Sequence, residues 1–367
     1  MLYREYGKTG KMVSAIGFGG MRFSNGDYEA GDLSACAEVV RRAYELGVNY
    51  FDTAPDYCDG MSEKIYGEAF QKMKSGFYVS TKCGLWNAKD GGEARMILER
   101  SLKRMGMEKI NFYHLWSIKT MDDFHSYMKK GGIYEAAVKA QEEGLIDHIC
   151  FSTHLSGKEI AEIAQLGLFE GVTLGYNAVN FAYRREGVEA CHKAGMGVVT
   201  MNPLGGGIIP QNPDYFSFVR QGSEDSLCVS ALKFLIAQPE ITIALSGMKS
   251  IAEVEENVKA AENIVPSTPD ALNAMAEYLN QNLDSLCTTC GYCNSCPQGI
   301  PIPKLMDSYN QYILADKDDH EILSRLSGHW GIPASLAKDC IACGQCEALC
   351  TQKLPIIERL NYIASIS

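Results

Sequence analysis

The sequence predicts an α/β protein in two parts: a barrel of eight parallel strands with intervening helices, and a small, mainly helical domain organised by cysteines. Three observations carry this reading. Short β-rich apolar runs alternate with longer amphipathic runs through the first 265 residues. Two prolines then punctuate the chain at Val265-Pro266-Ser267-Thr268-Pro269. Finally, eight of the 14 cysteines crowd into residues 287–350.

Strands are expected over 13–17, 48–52, 77–82, 111–116, 148–152, 171–176, 197–201 and 241–245. Each is an apolar run of strand length, rich in β-branched or aromatic residues, as in strands buried on both faces. Helices are expected over 33–46, 93–105, 157–166, 184–194 and 226–238, and several candidates stop at a glycine such as Gly47, Gly106 or Gly195. Glycine enters the left-handed conformation that ends a helix without a Cβ penalty. Eight such units over about 250 residues fit a (β/α)8 barrel. A doubly wound open sheet is the alternative, but Gly17-Phe18-Gly19-Gly20 lacks the G-x-G-x-x-G spacing of a dinucleotide-binding turn. Residues 2–6, with Gly7 and Gly10, are expected to form a hairpin closing the barrel floor. The division is placed near Pro266, giving a barrel over 1–265 and a second domain over 266–367.

Composition narrows the partners. A net charge of −11, with no stripe of Lys and Arg, argues against nucleic acid. The longest apolar runs are strand-length, so no membrane span is expected. Charges in the N-terminal MLYREYGKTGK stand where a secretory signal needs an apolar core, which predicts a cytoplasmic address. In that compartment, dense cysteines read as metal ligands rather than disulfides.

The cysteine region is a repeat. CTTCGYCNSCPQGIPI begins at Cys287 and CIACGQCEALCTQKLPI at Cys340. Both contain C-x2-C-G-x-C, a fourth cysteine, a Gln two residues later, and Pro-Ile. Each copy supplies four thiolates, the ligand number of a [4Fe–4S] cluster. Four-cysteine zinc sites and a single cluster remain alternatives, although zinc commonly uses two separated knuckles. The copies resemble those of bacterial two-cluster ferredoxins, in which the fourth cysteine of each run serves the other cluster. That resemblance implies two [4Fe–4S] clusters, one on Cys287, Cys290, Cys293 and Cys350 and one on Cys340, Cys343, Cys346 and Cys296. The first copy has two residues before its fourth cysteine where the ferredoxin pattern has three, and Thr351 replaces the usual proline.

The run Phe51-Asp-Thr-Ala-Pro-Asp-Tyr57, with Ser62-Glu63 and Gly67, resembles the signature of the aldo-keto reductases. So do Val79-Ser-Thr-Lys82, Asn202-Pro-Leu-Gly-Gly-Gly207, and Leu245-Ser-Gly-Met-Lys-Ser250 with Glu256-Asn257. The resemblance covers residues 1 to about 262, and the whole chain is similar to the subgroup with a C-terminal ferredoxin-type extension. It implies hydride transfer between NAD(H) or NADP(H) and a small-molecule carbonyl, alcohol or conjugated substrate. Asp52, Tyr57 and Lys82 are the implied catalytic set, with Tyr57 as proton donor. The family's D-x-Y-x-x-H pattern falls on Asn111-Phe-Tyr-His-Leu-Trp116, so Trp116 occupies the usual histidine position. His114, two residues earlier, is expected on the same strand face roughly 6–7 Å deeper. Trp116 offers a flat apolar wall suited to a ring-shaped or conjugated substrate.

Cofactor contacts implied by the same resemblance are Ser152 for the nicotinamide amide and Tyr176 or Asn177 near the ring. Pro203, Leu204, Gly205, Gly206 and Gly207 are expected along the pyrophosphate. Gly247, Lys249, Ser250, Glu253 and Asn257 are expected at the adenosine end. The Glu253 carboxylate favours NADH, whereas Lys249 favours a 2′-phosphate. Asp56, Cys58, Asp59 and His154 flank the site, and Cys83 is expected to be packed. Besides a reductase, two other readings stand: an electron-transfer module serving a ferredoxin or similar partner, and a nicotinamide-binding redox sensor with little turnover.

Overall fold

The computed structural model describes residues 1–29, 31–220, 225–282, 286–287, 291–315 and 317–367. They form two compact units, Met1–Pro203 with Val219–Ser267, and Leu204–Phe218 with Thr268–Ser367.

In the first unit, β1 (Tyr3–Glu5) and β2 (Met12–Ser14) form an antiparallel hairpin. Eight strands then close a barrel: β3 (Ile16–Gly19), β4 (Tyr50–Asp52), β5 (Tyr78–Cys83), β6 (Ile110–Ile118), β7 (Ile146–Thr153), β8 (Gly171–Gly175), β9 (Gly197–Met201) and β10 (Ile243–Gly247). Neighbouring strands run parallel, and β10 pairs with β3 to complete the circle. The first barrel strand begins at Ile16, later than the apolar pattern suggests, because Met12–Ser14 is used by the hairpin. Periodicity cannot separate these two strands, since both bury Val13 to Ile16.

The barrel floor is built around one side chain. Tyr6 is fully buried, with its ring 4.0 Å from that of Phe112 and 6.1 Å from that of Tyr50. A Cβ at Gly171 would stand 2.1 Å from the Tyr6 hydroxyl, and one at Gly197 2.3 Å from its ring. The glycines that open β8 and β9 are therefore the space into which Tyr6 fits.

The helix Gly91–Met105 shows how the outer layer is set. Asp90 caps it by accepting from the amides of Gly92 and Glu93, and Gly106 ends it at φ 64°. Ala94, Leu98 and Leu102 face inward, and Arg104 in the last turn reaches the site described below.

The second unit repeats its backbone as it repeats its sequence. Gly291 and Gly344 both have positive φ and open the short turns that carry Cys293 and Cys346. The Cys296 carbonyl accepts from the Gly299 amide at 3.0 Å, and the Cys350 carbonyl from the Lys353 amide at 3.3 Å. A tight Ile302-to-Ile300 bond of 2.8 Å has its counterpart in Ile356-to-Leu354 at 2.9 Å. The Pro-Ile pairs then start the helices Ile302–Leu314 and Ile356–Ser365. Leu305, Met306, Leu360 and Ile363 from these helices make one core with the buried cysteines. Among the described residues, no helix is long and apolar enough to cross a membrane.

Candidate functional site

At the C-terminal ends of adjacent strands, β4 supplies Asp52 and β5 supplies Ser80 and Lys82. Lys82 Nζ donates to Asp52 Oδ1 at 2.6 Å and to the Thr53 carbonyl at 2.7 Å. Ser80 donates to the same carboxylate oxygen at 2.5 Å. All three side chains are buried. Burial pulls the Lys82 pKa down, while Asp52 opposes that and favours the cation. The ammonium lies 5.0 Å from the centroid of the half-buried Tyr57 ring. The structure thus brings Asp52, Tyr57 and Lys82 together.

The loop carrying Tyr57 is braced from below. Buried Glu63 accepts from Thr81 Oγ1 at 2.9 Å and from Arg104 Nη1 at 3.1 Å. Arg104 also donates to the Pro55 carbonyl at 3.2 Å. Cys58 and Asp59 adopt left-handed φ values of 53° and 54°, a strained conformation for both residues. Arg104 carries no local motif, and only its place in the last turn of a helix beside β5 marks it.

Trp116 forms the opposite wall. The β6–β7 register shifts between Leu115 and Ile118, and Ser117 sits at φ 63°. Its amide donates to Ser152 Oγ at 2.8 Å. Such a bulge re-aims the residue beside it. The Trp116 ring stands 5.5 Å from that of Tyr57 and 4.6 Å from that of Trp86. Trp86 is exposed, and its indole N–H donates to Asp56 Oδ2 at 3.0 Å, which also accepts from Asn87 at 2.7 Å. Asp56 therefore anchors an aromatic rim. Trp86 and Asn87 were not legible as site residues, because nothing in Gly84-Leu-Trp-Asn87 says where the loop turns.

His114 pairs in register with Lys82 and is fully buried. Its Nε2 lies 3.0 Å from Thr173 Oγ1. Burial, aided by the Lys82 charge, depresses its pKa to about 3, so it is a neutral interior group. Partly buried His154 is also depressed to about 3 by burial and by Arg184, whose guanidinium donates to the His154, Leu155 and Gly175 carbonyls. Burial pushes the Cys83 thiol up to about 12, which suits packing.

The expected cofactor residues fall in three places. Ser152 is buried at the end of β7, and Asn177 is buried with its amide donating to the Asn202 carbonyl at 3.0 Å. Tyr176 is not turned toward the Asp52 group: its hydroxyl donates to Gln238 at 2.8 Å and its ring packs on Phe181 in the helix layer. At the end of β10, Gly247 and Lys249 are exposed. Ser250 caps the following helix, Glu253 accepts the Lys249 amide at 2.8 Å, and Asn257 donates to Ser246 at 3.1 Å. The Glu253 carboxylate is thus tied to its own helix start. A Cβ at Gly247 would meet Arg22 Cγ at 2.6 Å, so Arg22, which sequence reading did not single out, lies across this strand end. Pro203 closes the first unit, whereas Leu204, Gly205, Gly206 and Gly207 belong to the second, the three glycines at φ 62°, 75° and 102°.

In the second unit, Cys287, Cys293, Cys346 and Cys350 are buried, Cys296 and Cys340 are partly exposed, and Cys343 is exposed. Cys290 lies outside the described residues. The described thiols are all free of disulfides. Cys296, Cys340, Cys343 and Cys346, with Cys293, line a single cavity that Ile300, Ile302 and Leu360 make apolar. Among the described residues, no three Cys, His, Asp or Glu side chains gather as ligands of a single ion.

Comparison with known proteins finds matches to both parts of the chain. The model of the aldo/keto reductase family matches residues 15–279, and that of a 4Fe-4S dicluster domain matches residues 286–354. L-galactose dehydrogenase of Arabidopsis thaliana is 28% identical over 295 residues, covering 71% of this chain and 88% of that protein. The NADH-specific methylglyoxal reductase of Escherichia coli is 26% identical over 325 residues, covering 75% and 98%. Among solved structures, the holo form of an aldo-keto reductase from Bacillus halodurans superposes with a TM-score of 0.63 at 22% identity, covering 76% of this chain and 96% of that one. An aldo-keto reductase from Klebsiella pneumoniae, solved with NADPH, gives a TM-score of 0.62 at 18% identity over the same shares.

Proposed function

The chain belongs to the aldo/keto reductase family and carries a C-terminal 4Fe-4S dicluster domain, and we propose that it is a cytoplasmic NAD(P)H-dependent reductase of ring-shaped or conjugated carbonyl compounds, with two [4Fe–4S] clusters. The barrel is taken as residues 1–265 and the cluster domain as 266–367. The observation that carries the proposal is the placement of the Lys82 ammonium between the Asp52 carboxylate and the face of Tyr57.

A bound nicotinamide supplies or accepts the hydride. Everything else falls to the protein. Tyr57 gives the proton to the nascent alkoxide, and the Lys82 cation stabilises the phenolate left behind. Asp52 and Ser80 fix Lys82 and keep it charged despite its burial. The Glu63–Arg104 pair holds the Tyr57 loop in its strained form. Trp116 and Trp86 exclude water and present aromatic surface to a flat substrate. Gly247, Lys249, Ser250 and Arg22 offer close backbone approach, cations and a hydroxyl, which fit the anionic end of a dinucleotide. Cys287, Cys290, Cys293 and Cys350 would hold one cluster, and Cys340, Cys343, Cys346 and Cys296 the other. The eight cysteines in two repeats, and the match of a 4Fe-4S dicluster domain to residues 286–354, support the two-cluster reading. When bound, the clusters would supply single-electron exchange, with a ferredoxin or similar carrier as partner.

Anaerobic purification followed by iron and sulfide counting tests the cluster assignment, with eight irons expected. Adding NADH and NADPH separately then tests the barrel. Saturable binding of either supports the reading, and binding of neither overturns it. Bleaching of the cluster absorbance would add that the two redox centres communicate.

A further inference from the structure

In the first unit, the helices Ser62–Phe70 and Gly91–Met105 lead into β5 and β6 through lysine-rich ends. A cleft of about 700 Å³ opens beside them. Its polar lining is Lys64 and Glu68 of the first helix, Lys72 and Lys74 of the turn after it, and Lys103 and Arg104 of the second helix. Its apolar lining includes buried Phe70 and Met105 and half-buried Phe77, the two phenyl rings 4.7 Å apart. Only Arg104 is shared with the site around Asp52. A Cβ at Gly67 would stand 2.3 Å from the Arg104 carbonyl, so the two helices meet backbone to backbone in the wall of the cleft. That contact fixes the positions from which Lys64 and Lys103 project.

The charges in this cleft do not balance. Arg104 is paired with buried Glu63 at 3.1 Å. The four lysines are exposed and make no ion pair among the described residues. Lys64 Nζ has the Met61 thioether at 3.6 Å, which is a weak acceptor. Each helix C-terminus offers about half a negative charge, and Glu68 offers one carboxylate. About two positive charges are left over once those are counted. That excess stands in a chain whose net charge is −11.

We propose that this cleft binds an organic polyphosphate, with its phosphates among the four lysines and its organic body against Phe70 and Phe77. Ammonium groups on flexible stems act as point charges that suit phosphate. The volume falls within the range of small-molecule pockets, about 300–1,000 Å³. An inorganic anion would leave the aromatic surface unused, and a neutral aromatic molecule would leave the lysines without a counter-charge. A ligand carrying both parts satisfies both linings.

The test uses the full-length protein and ATP as the probe, titrated in a calorimeter at low ionic strength, where exposed charges are least screened. Wild type should bind ATP saturably. The double variants Lys72→Gln/Lys74→Gln and Lys64→Gln/Lys103→Gln should each weaken binding about tenfold, at about threefold for one charge some 6 Å away in water. All four positions are exposed, so the variants should keep the wild-type circular dichroism. Lys158→Gln/Lys193→Gln, exposed lysines outside the cleft, should leave ATP binding unchanged, as should Lys249→Gln at the end of β10. Tripolyphosphate should bind more weakly than ATP, and adenosine more weakly still. No saturable ATP binding, or binding that the cleft variants leave unchanged, would overturn the proposal. So would tripolyphosphate or adenosine binding as tightly as ATP.

Discussion

The rings of Tyr57 and Trp116 meet edge to face, with centroids 5.5 Å apart and planes 84° apart. The proposed proton donor is thus walled by an indole where the family resemblance implies an imidazole. Trp116→His should exchange apolar surface for a polar group beside the substrate oxygen. The expected result is a rise in kcat/KM for a short aliphatic aldehyde and a fall of about tenfold for cinnamaldehyde, read from nicotinamide absorbance. One aromatic contact together with its buried area is worth about 1–3 kcal/mol, which sets that scale.

Lys82→Met should remove the charge that stabilises the Tyr57 phenolate. Turnover should fall by about 10²–10⁴-fold, the usual worth of a positioned acid. The alkaline limb of the kcat/KM pH profile should also move upward, which a purely structural role would not cause. Leaving Asp52 buried without its partner should cost about 3–5 kcal/mol in denaturant unfolding.

Gly171→Ala tests the barrel floor. The added methyl collides with Tyr6, and the expected loss is about 1–3 kcal/mol of stability. Tyr6→Ala alone should cost about 3–5 kcal/mol. The double variant should cost less than the sum, because the second change vacates the space the first one invades.

His114 makes stability depend on pH in a definite direction. Its native pKa is depressed to about 3, whereas an unfolded histidine titrates near about 6.5. Above that value both states are neutral and the burial of His114 carries no protonation cost. As pH falls through the window from about 6.5 to about 3, the unfolded state takes up a proton the native state refuses, and stability drops by about 1.4 kcal/mol per pH unit. Between pH 7 and pH 5.5, a range that straddles the unfolded pKa, His114 should cost about 1.3 kcal/mol in urea unfolding, and His154, depressed in the same way, a similar amount. His114→Gln should remove about half of the combined loss.

The barrel was legible because its strands are buried on both faces, and such runs stand out whatever they pack against. The Asp52–Tyr57–Lys82 set was legible through the resemblance of Phe51–Tyr57 and Val79–Lys82 to a family signature, with Asp52 and Lys82 at strand ends and Tyr57 in the loop after β4. The hairpin boundary at Ser14 was not, since hairpin and barrel strand draw on one apolar run. Trp86, Arg104 and Arg22 were missed because each reaches the site through tertiary folding of a loop or helix end, with no local signature. Tyr176 was expected near the nicotinamide, but a strand-end residue can turn either way, and the bond to Gln238 turns this one into the helix layer. The cysteine repeat stands in the sequence itself, whereas the two hydrogen bonds of the Asn310 side chain to the Cys287 backbone join residues with no pattern between them.

The most direct measurement of the central claim is anaerobic oxidation of NADH or NADPH by a conjugated aldehyde, comparing the wild-type protein with Tyr57→Phe. The account predicts saturable turnover by wild type and a loss of at least about 10²-fold in the variant, with iron content and nicotinamide binding unchanged. Equal turnover by the two proteins would contradict it, because the proton would then come from somewhere other than Tyr57.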